Sequence, residues 1–507
     1  MPQLNGMKTK HTASVKTRLN GLLWAVVALA LSASASLAQW SAVAPGIDYR
    51  EYLLPGPVRV FAARADREVK TWTIDTMKGQ GEMKGGRETV PDMAARYNDT
   101  ITPDGSRYAV KVAINGDYFN GNTGVPLEGQ IMSGWFVKRF GEDAGLSGLV
   151  WTADRRCFLG GSVENGGALQ SVVFADGAQM KINQLNEPRG KDALALYTPQ
   201  FAANTGTGAE GTEVLILMDA PLGLLPQPPG VRGEIVKVRE GVGSSLLPFQ
   251  HVVLSAQGKA ATEMARHARA GEALHFSLGL TEHGKEAIGL APGDWHNAYA
   301  SLGGPKCILV NGKVPRDWEI KAAKYAKEGK VHGSVVKDPR TAIAFDARYI
   351  YFLVIDGRSK ESVGMTFTEA GYFCRDELKA TDAVLQDGGG SSTLWVDGKV
   401  KNTPSGKGKE EKAGVLRAVA NGWCITEVLP PTKSAALLAG RKVRLKGELR
   451  LGPNPTCGAA GKVLDADSGT ILPDALNGIL SKGHYWWSCR FGETEGWASL
   501  DQLTAVH

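Results

Sequence analysis

A strand–helix–strand pattern between residues 349 and 387 places the strongest limit on how this chain can fold. The apolar run from Tyr349 to Ile355 has the length of a buried strand. Thr366 and Glu369 match the capping box that opens a helix, and apolar residues then recur at helical spacing to about Leu378. A second strand follows at 383–386. A crossover of this kind predicts two strands that run in the same direction.

Both strands are followed at once by an aspartate and a glycine. Asp356 leads into Gly357 and Arg358, and Asp387 leads into a run of three glycines and two serines. The run consists of Gly388, Gly389, Gly390, Ser391 and Ser392. Parallel strands would bring both carboxylates to one edge of the sheet, where α/β proteins bind ligands. Exposed N–H groups in the glycine run would bind an anion. The alternative is that both segments are ordinary turns.

Three other segments carry polar groups next to apolar strands. Arg340 and Thr341 precede one strand, Asn115 and Asp117 close another, and Arg417 follows a lysine-rich loop. Guanidinium groups bind phosphate well because they are planar and offer several donors. Each arginine alone is better explained as a surface or ion-pairing residue, but together they favour a site for an anionic substrate.

The first 38 residues have the pattern of a secretory signal peptide. Four basic residues and no acid precede an apolar stretch of ten residues, and a small-residue cleavage site ends at Ala38. A membrane anchor is the alternative, but ten residues fall short of the ~20 needed to span a bilayer. Removing the leader lowers the formal net charge from +6 to +2. Nucleic acid and anionic membranes are therefore not expected partners, and the mature protein is expected to be exported, into the periplasm or the medium.

The rest of the chain divides into a large body, a linker and a small tail. Sixty-three glycines exceed the ~7% average and favour many turns and a β-rich fold. We predict an α+β or mixed α/β body over 43–428, with a central mixed sheet that holds the βαβ unit. A proline-marked linker covers 429–440. The tail, 441–507, resembles bacterial SH3-like barrels through its R-x-GP turn and the GW pair at Trp497. Its aromatic residues could bind a cell-wall polymer or fill a small core.

Six cysteines in an exported chain allow disulfides. Cys457 with Cys489 is the favoured pair, and Cys374 with Cys424 is a second possibility. The sequence holds no C-x-x-C or H-E-x-x-H motif and no P-loop. We therefore expect no cofactor and no metal site, although aspartates and backbone oxygens could hold a calcium ion.

Eight motifs in order along the chain resemble the phosphodiester glycosidase family. They are NGDYF (115–119), GGP (303–305), PRTA (339–342), DGR (356–358), GMTFTE (364–369), DGGGSS (387–392), NTPS (402–405) and RAVAN (417–421). The strongest resemblance covers about 110–425. Gln386 departs from the family, which commonly has an apolar residue before the DGG motif.

The resemblance implies a hydrolase that cleaves the glycosidic C1–O bond of a sugar-1-phosphodiester, such as one of N-acetylglucosamine, in exopolysaccharide or cell-wall metabolism. It implies that Asp387 and Asp356 are the catalytic carboxylates. Arg340 and Arg417 would hold the phosphodiester with the 388–392 loop. The remaining substrate contacts would come from Asn115 and Asp117, which face sugar hydroxyls, and from Thr341 and Arg358.

Two other functions remain open at this stage. One is a polysaccharide- or wall-binding protein without catalytic activity, anchored by the tail. The other is a phosphodiesterase that cleaves the phosphorus–oxygen bond, often with two metals. The absence of clustered histidines and of metal-ligand spacing counts against the second.

Overall fold

The computed structural model describes residues 39–140, 148–160, 162–164, 170–223, 230–283, 293–304, 306–405, 414–461 and 468–506. The predicted leader lies outside these ranges. Strands dominate, and the described part contains four α-helices of 8 to 11 residues. They are α1 (Val90–Tyr97), α2 (Lys259–His267), α3 (Asp317–Lys327) and α4 (Phe367–Asp376). No helix among the described residues is long and apolar enough to cross a membrane.

A seven-stranded sheet carries the strand–helix–strand unit. Its order is Ser41–Ala44, Ile47–Leu54, Val58–Asp66, Tyr349–Ile355, Arg340–Phe345, Asp382–Leu385 and Cys307–Leu309. Tyr349–Ile355 and Asp382–Leu385 run in the same direction, because each is antiparallel to Arg340–Phe345, which lies between them. The prediction of a mixed sheet was wrong here, since every pair of neighbouring strands is antiparallel.

Helix α4 connects the two parallel strands and covers one face of this sheet. Thr366 accepts a bond from the Glu369 amide, and the Glu369 side chain accepts one from the Thr366 amide, so the predicted capping box is confirmed. Phe367, Ala370 and Phe373 are buried against residues of both strands, including Leu353. This apolar contact fixes the helix and, with it, the loops at the carboxyl ends of the strands.

The other face packs on a second sheet of five strands. Its order is Lys399–Val400, Leu394–Val396, Arg107–Asn115, Asn421–Leu429 and Trp72–Lys78. Phe352 and Val354 of the first sheet share one apolar core with Ile114 and Trp423 of the second. The packing brings the end of Arg107–Asn115 against the end of Asp382–Leu385, where the Asp387 amide donates to the Gly116 carbonyl at 2.9 Å.

Further sheets complete the body. One has eight strands in the order Gln179–Lys181, Gln170–Val173, Ala273–Leu278, Val231–Glu240, Thr212–Met218, His251–Ala256, Leu194–Tyr197 and Gln184–Leu185. Another has five, Trp135–Lys138, Gln130–Met132, Ala298–Leu302, Leu149–Thr152 and Cys157–Leu159, and a pair joins Ser162–Glu164 to Thr281–His283. Short 3-10 turns lie at Gly79–Gly81, Trp295–Asn297, Gly333–Val335, Gly389–Ser391 and Leu500–Gln502.

The tail forms its own antiparallel sheet and core. Its strands are Ala459–Gly461, Leu449–Arg450, Thr494–Ser499, His484–Phe491, Ser468–Ile471, Lys442–Leu445 and Leu503–Ala505, with Ile479–Ser481 beside His484–Phe491. Trp487 lies in the core of the tail, whereas Trp486 and Trp497 belong to a second apolar cluster that packs against Ile101 and Phe249 of the body. All three rings are buried, so they offer no surface platform for a polymer. The SH3-like assignment stays a prediction.

The expected disulfides are not formed, and all six cysteines are free thiols in the structure. Cys489 is buried in the core of the tail, whereas Cys457 lies in the loop that packs on the body. Cys374 and Cys424 belong to different apolar clusters, one beneath α4 and one beneath the second sheet. The pairs predicted from an even cysteine count are therefore wrong for this structure.

Candidate functional site

A cleft of about 580 Å³ opens beside the carboxyl ends of the parallel strands. Its lining combines the glycine run with residues of α3, the loop that follows α3, the segment before the strand Arg340–Phe345 and the first residue of α4. The lining residues are Tyr118, Lys306, Trp318, Lys321, His332, Gly333, Ser334, Asp338, Arg340, Arg358, Phe367, Asp387, Gly388, Gly389, Gly390 and Arg417. The segment after the second strand of the crossover is thus one wall of this cleft.

Asp387 provides a carboxylate to this cleft from a nearly buried position. Its backbone is held on both sides, since its amide donates to Gly116 and its carbonyl accepts from the Asn115 side chain at 2.7 Å. Burial raises the pKa of Asp387 to about 6, although the Ser391 hydroxyl and the Arg417 charge act in the opposite direction. A carboxyl group with such a pKa can exchange a proton near neutral pH.

The glycine run lets two arginines approach the backbone closely. A Cβ atom at Gly389 would lie 2.9 Å from Nη2 of Arg358, and one at Gly390 would lie 2.5 Å from Nη2 of Arg417. Gly389 also has a φ of 61°, in the left-handed region that favours glycine. Arg417 donates to the Ser391 hydroxyl at 3.1 Å. The glycines are therefore needed for close packing against cations as well as for the turn.

Arg358 is fixed by an ion pair at the rim of the cleft. Its Nε and Nη2 donate to the two oxygens of Asp338 at 2.8 and 3.2 Å. The Arg358 backbone has a φ of 62°, which is uncommon outside glycine and costs energy. The bidentate pair holds the guanidinium in this direction and also neutralises Asp338.

Arg340 is nearly buried and holds two loops of the cleft together. It donates to the carbonyls of Met365, Gly333 and Val336 at 2.9, 3.0 and 2.6 Å. Its guanidinium also lies 4.7 Å from the centre of the Phe367 ring. Burial lowers the pKa of Arg340, but the group remains a cation. Arg340 therefore contributes positive charge to the cleft, although most of its N–H donors are bonded to backbone carbonyls of the protein.

Asn115 and Thr341 support the loop from behind the cleft. The Asn115 side chain accepts from the Thr341 hydroxyl at 2.8 Å and from the Thr393 amide at 3.1 Å, and it donates to Asp387. Both residues are fully buried and neither lines the cleft. Their polar atoms join three strand ends in this structure, and direct substrate contact by this pair stays a prediction.

Asp117 is also directed into the protein. Its carboxylate accepts from the amides of Tyr118 and Glu128 at 2.6 and 2.7 Å, and only 1% of the residue is exposed. Burial raises the pKa of Asp117 to about 8. Contact with sugar hydroxyls is therefore not available to Asp117 in this structure, and Tyr118 reaches the cleft from the same motif.

Asp356 occupies a different place from the one expected. Its carboxylate accepts from the Thr403 amide at 3.1 Å and from the Asn402 side chain at 3.3 Å, and it does not line the cleft. Burial raises the pKa of Asp356. The parallel strands do place Asp356 and Asp387 at the same edge, but Asp356 anchors the 402–403 loop. The expected pair of carboxylates is reduced to Asp387 on the cleft itself.

The two serines of the run are buried. Ser391 links Asp387 and Arg417, as described above. The Ser392 hydroxyl is buried and has no hydrogen-bond partner among the described residues. Gly388 packs closely as well, since a Cβ there would lie 2.8 Å from the Pro339 carbonyl oxygen. Of the five residues in the run, the three glycines line the cleft and the serines support it.

Sequence reasoning missed one side of the cleft. Trp318 and Lys321 come from α3, His332 follows that helix, and Lys306 precedes a strand of the main sheet. The many lysines of α3 are typical of a solvated helix, and they mask the single turn that faces inward. Only Trp318 and Ala322 of this helix are buried, which is too short a pattern to reveal the contact.

The cleft carries a marked excess of positive charge. Five cationic side chains line it, against the two carboxylates of Asp338 and Asp387, and Asp338 is paired with Arg358. An anion would be attracted to such a site. Among the described residues, no group of three His, Cys, Asp or Glu side chains could hold a metal ion. The expectation that the protein needs no cofactor stays a prediction. Whether aspartates and backbone oxygens hold a calcium ion stays open.

Gln386 and Glu369 have structural partners. Gln386 accepts from the Trp423 indole at 3.2 Å in the core between the two sheets, which explains a polar residue where the family has an apolar one. Glu369 caps α4 and pairs with Lys337 at 2.9 Å, and these contacts lower its pKa despite partial burial. Neither side chain lines the cleft.

Comparisons with known proteins bear on the central part of the chain. No curated protein matches the sequence. Solved structures that resemble the fold include a hypothetical protein from Synechocystis (16% identity, TM-score 0.48, covering 77% of this chain and 63% of that protein). A second is a presumed exported protein from Burkholderia pseudomallei K96243 (20% identity, TM-score 0.45, covering 74% of each chain).

A third is the catalytic domain of zebrafish N-acetylglucosamine-1-phosphodiester alpha-N-acetylglucosaminidase, auto-inhibited by its pro-peptide (14% identity, TM-score 0.37, covering 76% of this chain and 86% of that one). These likenesses are distant. The family model for phosphodiester glycosidases matches residues 231–426. This span is shorter than the 110–425 covered by the motifs, and it does not include Asn115 and Asp117. The segment that carries Arg340, Arg358, Asp387 and Arg417 is thus similar to the phosphodiester glycosidases.

Proposed function

We propose that the protein is an exported hydrolase that cleaves the glycosidic C1–O bond of a sugar-1-phosphodiester. The observation that carries this proposal is the placement of the Asp387 carboxyl, with its raised pKa, beside Arg417 in a cationic cleft. The match of residues 231–426 to the phosphodiester glycosidases supports the same reaction class. An N-acetylglucosamine-like sugar from an exopolysaccharide or a wall polymer is the proposed substrate.

The charge of the cleft suits the leaving group of this reaction. Cleavage at C1 releases a phosphate monoester, which is already a stable anion and needs less protonation than an alkoxide. Arg417 and Arg340 would stabilise the charge that develops on its oxygens, and Lys306 and Lys321 would attract the substrate. Preorganised cations of this kind act most strongly where the protein excludes water.

Asp387 is the proposed general base. Above about pH 6 its carboxylate is ionised and can take a proton from the water that attacks C1, and its charge can stabilise an oxocarbenium-like centre. Asp338 is the other carboxylate on the cleft, but its pair with Arg358 occupies both oxygens. Asp356 acts through the 402–403 loop as a positioning residue.

Turnover by the purified protein and by an Asp387→Asn variant tests the proposal. The substrate is an α-N-acetylglucosamine-1-phospho-alkyl diester, and released sugar is measured by chromatography. We expect the variant to lose about 10²- to 10⁴-fold in kcat, the usual contribution of a general base, with an unchanged circular dichroism spectrum. Undiminished activity in the variant would remove Asp387 from catalysis. Absence of turnover over a panel of sugar phosphodiesters would favour the polysaccharide-binding protein.

A further inference from the structure

A second cleft, of about 320 Å³, lies where the tail meets the body. It is separate from the candidate active site and shares no lining residue with it. From the body come the end of the strand Trp72–Lys78, the end of α1 and residues near 200 and 249. From the tail comes the segment between Leu451 and Gly458. A cleft of this size is within the range that holds a small ligand.

The two walls of this cleft are held firmly together. The Phe249 amide donates to the Leu451 carbonyl at 2.8 Å. A Cβ atom at Gly458 would lie 2.7 Å from Cβ of Ala203, and one at Gly452 would lie 3.2 Å from Cβ of Phe249. Such close approach shows a packed contact on both sides of the opening. The cleft is therefore formed before any ligand arrives.

Lys78 is the unusual residue in the lining, because its long basic side chain is almost completely buried. Only 5% of the residue is exposed, and its ammonium donates to the Gln200 carbonyl at 2.5 Å. It makes no salt bridge within the described part of the chain. Burial and the charge of Arg96 lower the pKa of Lys78 to about 7. At neutral pH the amino group of Lys78 is therefore partly neutral, which reduces the cost of its burial, and an anion bound beside it would favour the charged form.

The nearby carboxylates are engaged elsewhere. Glu88 forms a bond to Arg96 at 2.6 Å. Asp75 lies behind the cleft and accepts from the hydroxyls of Tyr97 and Ser133, both at 2.5 Å. Glu82, at the exposed rim, acts on Lys78 only through its field. Within the described part of the chain, the Lys78 amino group donates to the Gln200 carbonyl and has no carboxylate at salt-bridge distance, so it can also donate to an anion that enters the cleft.

We propose that the cleft between body and tail is a binding site for a small anionic ligand, whose carboxylate or phosphate group neutralises Lys78. This site would be independent of the proposed hydrolysis. A ligand there contacts both parts of the chain, so it would also strengthen the docking of the tail on the body. Glucuronate and inorganic phosphate represent the carboxylate and the phosphate form of such a ligand.

Hydrogen–deuterium exchange with mass spectrometry locates the binding. The full chain is studied with sodium glucuronate, with sodium phosphate, and with sodium chloride at equal ionic strength. We expect slower exchange in peptides that cover residues 199–203 and 451–461. Protection by glucuronate assigns a carboxylate ligand, and protection by phosphate assigns a phosphoryl ligand. Protection confined to 387–392, or none in any part of the chain, would overturn the proposal.

Variants of Lys78 separate the charge from the fold. Lys78→Met should weaken the apparent affinity about tenfold or more, as expected for the loss of a charge-assisted hydrogen bond. Lys78→Gln keeps a donor for Gln200 but removes the charge, and it should weaken binding equally. Lys482→Met is the matched control, since Lys482 also donates to a backbone carbonyl nearby, that of Ala95, but lies outside the cleft. Equal protection in all three variants would contradict the role of Lys78.

Discussion

Replacing Gly390 with alanine should disable the candidate active cleft without touching its carboxylate. The new Cβ would lie 2.5 Å from Nη2 and 2.8 Å from Cζ of Arg417, and 3.0 Å from the Ser405 carbonyl oxygen. Ordinary contacts begin at 3.4 Å, so the guanidinium must move by about 1 Å. A misplacement of about 1 Å can cost ~10²-fold in rate, which corresponds to about 2.7 kcal/mol in the barrier. The backbone of Gly390 is outside the left-handed region, so strain does not add to the effect.

The assay compares kcat/KM for a sugar phosphodiester in wild type and Gly390→Ala. Thermal unfolding is measured in parallel, because overpacking costs ~1–3 kcal/mol in stability and activity must be read well below the transition. Gly121→Ala is the matched control, since a Cβ at Gly121 meets nothing within 4 Å. A Gly390→Ala enzyme within threefold of wild type would refute the argument that Arg417 must pack on a bare backbone.

Three further predictions concern the carboxylates. If Asp387 is the base, kcat/KM should fall tenfold for each pH unit below about 6, and a flat profile from pH 4 to 7 would contradict its role. The pKa of Asp387 in the folded protein, about 6, exceeds the usual 3.8, so ionisation of this buried group lowers the stability of the protein as the pH rises from 3.8 to 6. Calorimetry should therefore show that Asp387→Asn is more stable than wild type by up to ~3 kcal/mol at pH 7.5. This difference should become smaller toward pH 4. Asp356→Ala should lower stability by ~1–3 kcal/mol because the Thr403 amide and the Asn402 side chain lose their acceptor, but it should keep kcat/KM within about tenfold, and a hundredfold loss would return Asp356 to catalysis.

The strand–helix–strand unit could be predicted because its signals are local. The capping box of Thr366 and Glu369 and the apolar run at 349–355 each lie within a few residues, and helix propensity and strand length agree with the final structure. The direction of the two strands followed from the connection. The position of Arg340–Phe345 between them was not predicted. Its pairing with Tyr349–Ile355 is a local hairpin, but its pairing with Asp382–Leu385 joins residues far apart in sequence and depends on the whole core.

The residues of the candidate site were harder to assign by role than by position. Asp387 and Asp356 have the same local sequence, an apolar strand followed by Asp-Gly, yet only Asp387 faces the cleft. Asp356 is turned away from the cleft because the Thr403 amide, in the 402–403 loop, donates a hydrogen bond to its carboxylate. The role of Asn115 could not be predicted from its local sequence either, because the three strand ends that it joins are distant in sequence.

The bond that breaks is the central claim, and isotope labelling tests it most directly. The purified protein is incubated with an α-N-acetylglucosamine-1-phospho-alkyl diester in ¹⁸O water, and both products are analysed by mass spectrometry. Cleavage of the C1–O bond, as proposed here, places the ¹⁸O atom in the sugar. An ¹⁸O atom in the phosphate would mean that the phosphorus–oxygen bond is cleaved, and would contradict the assignment of the protein as a glycosidase.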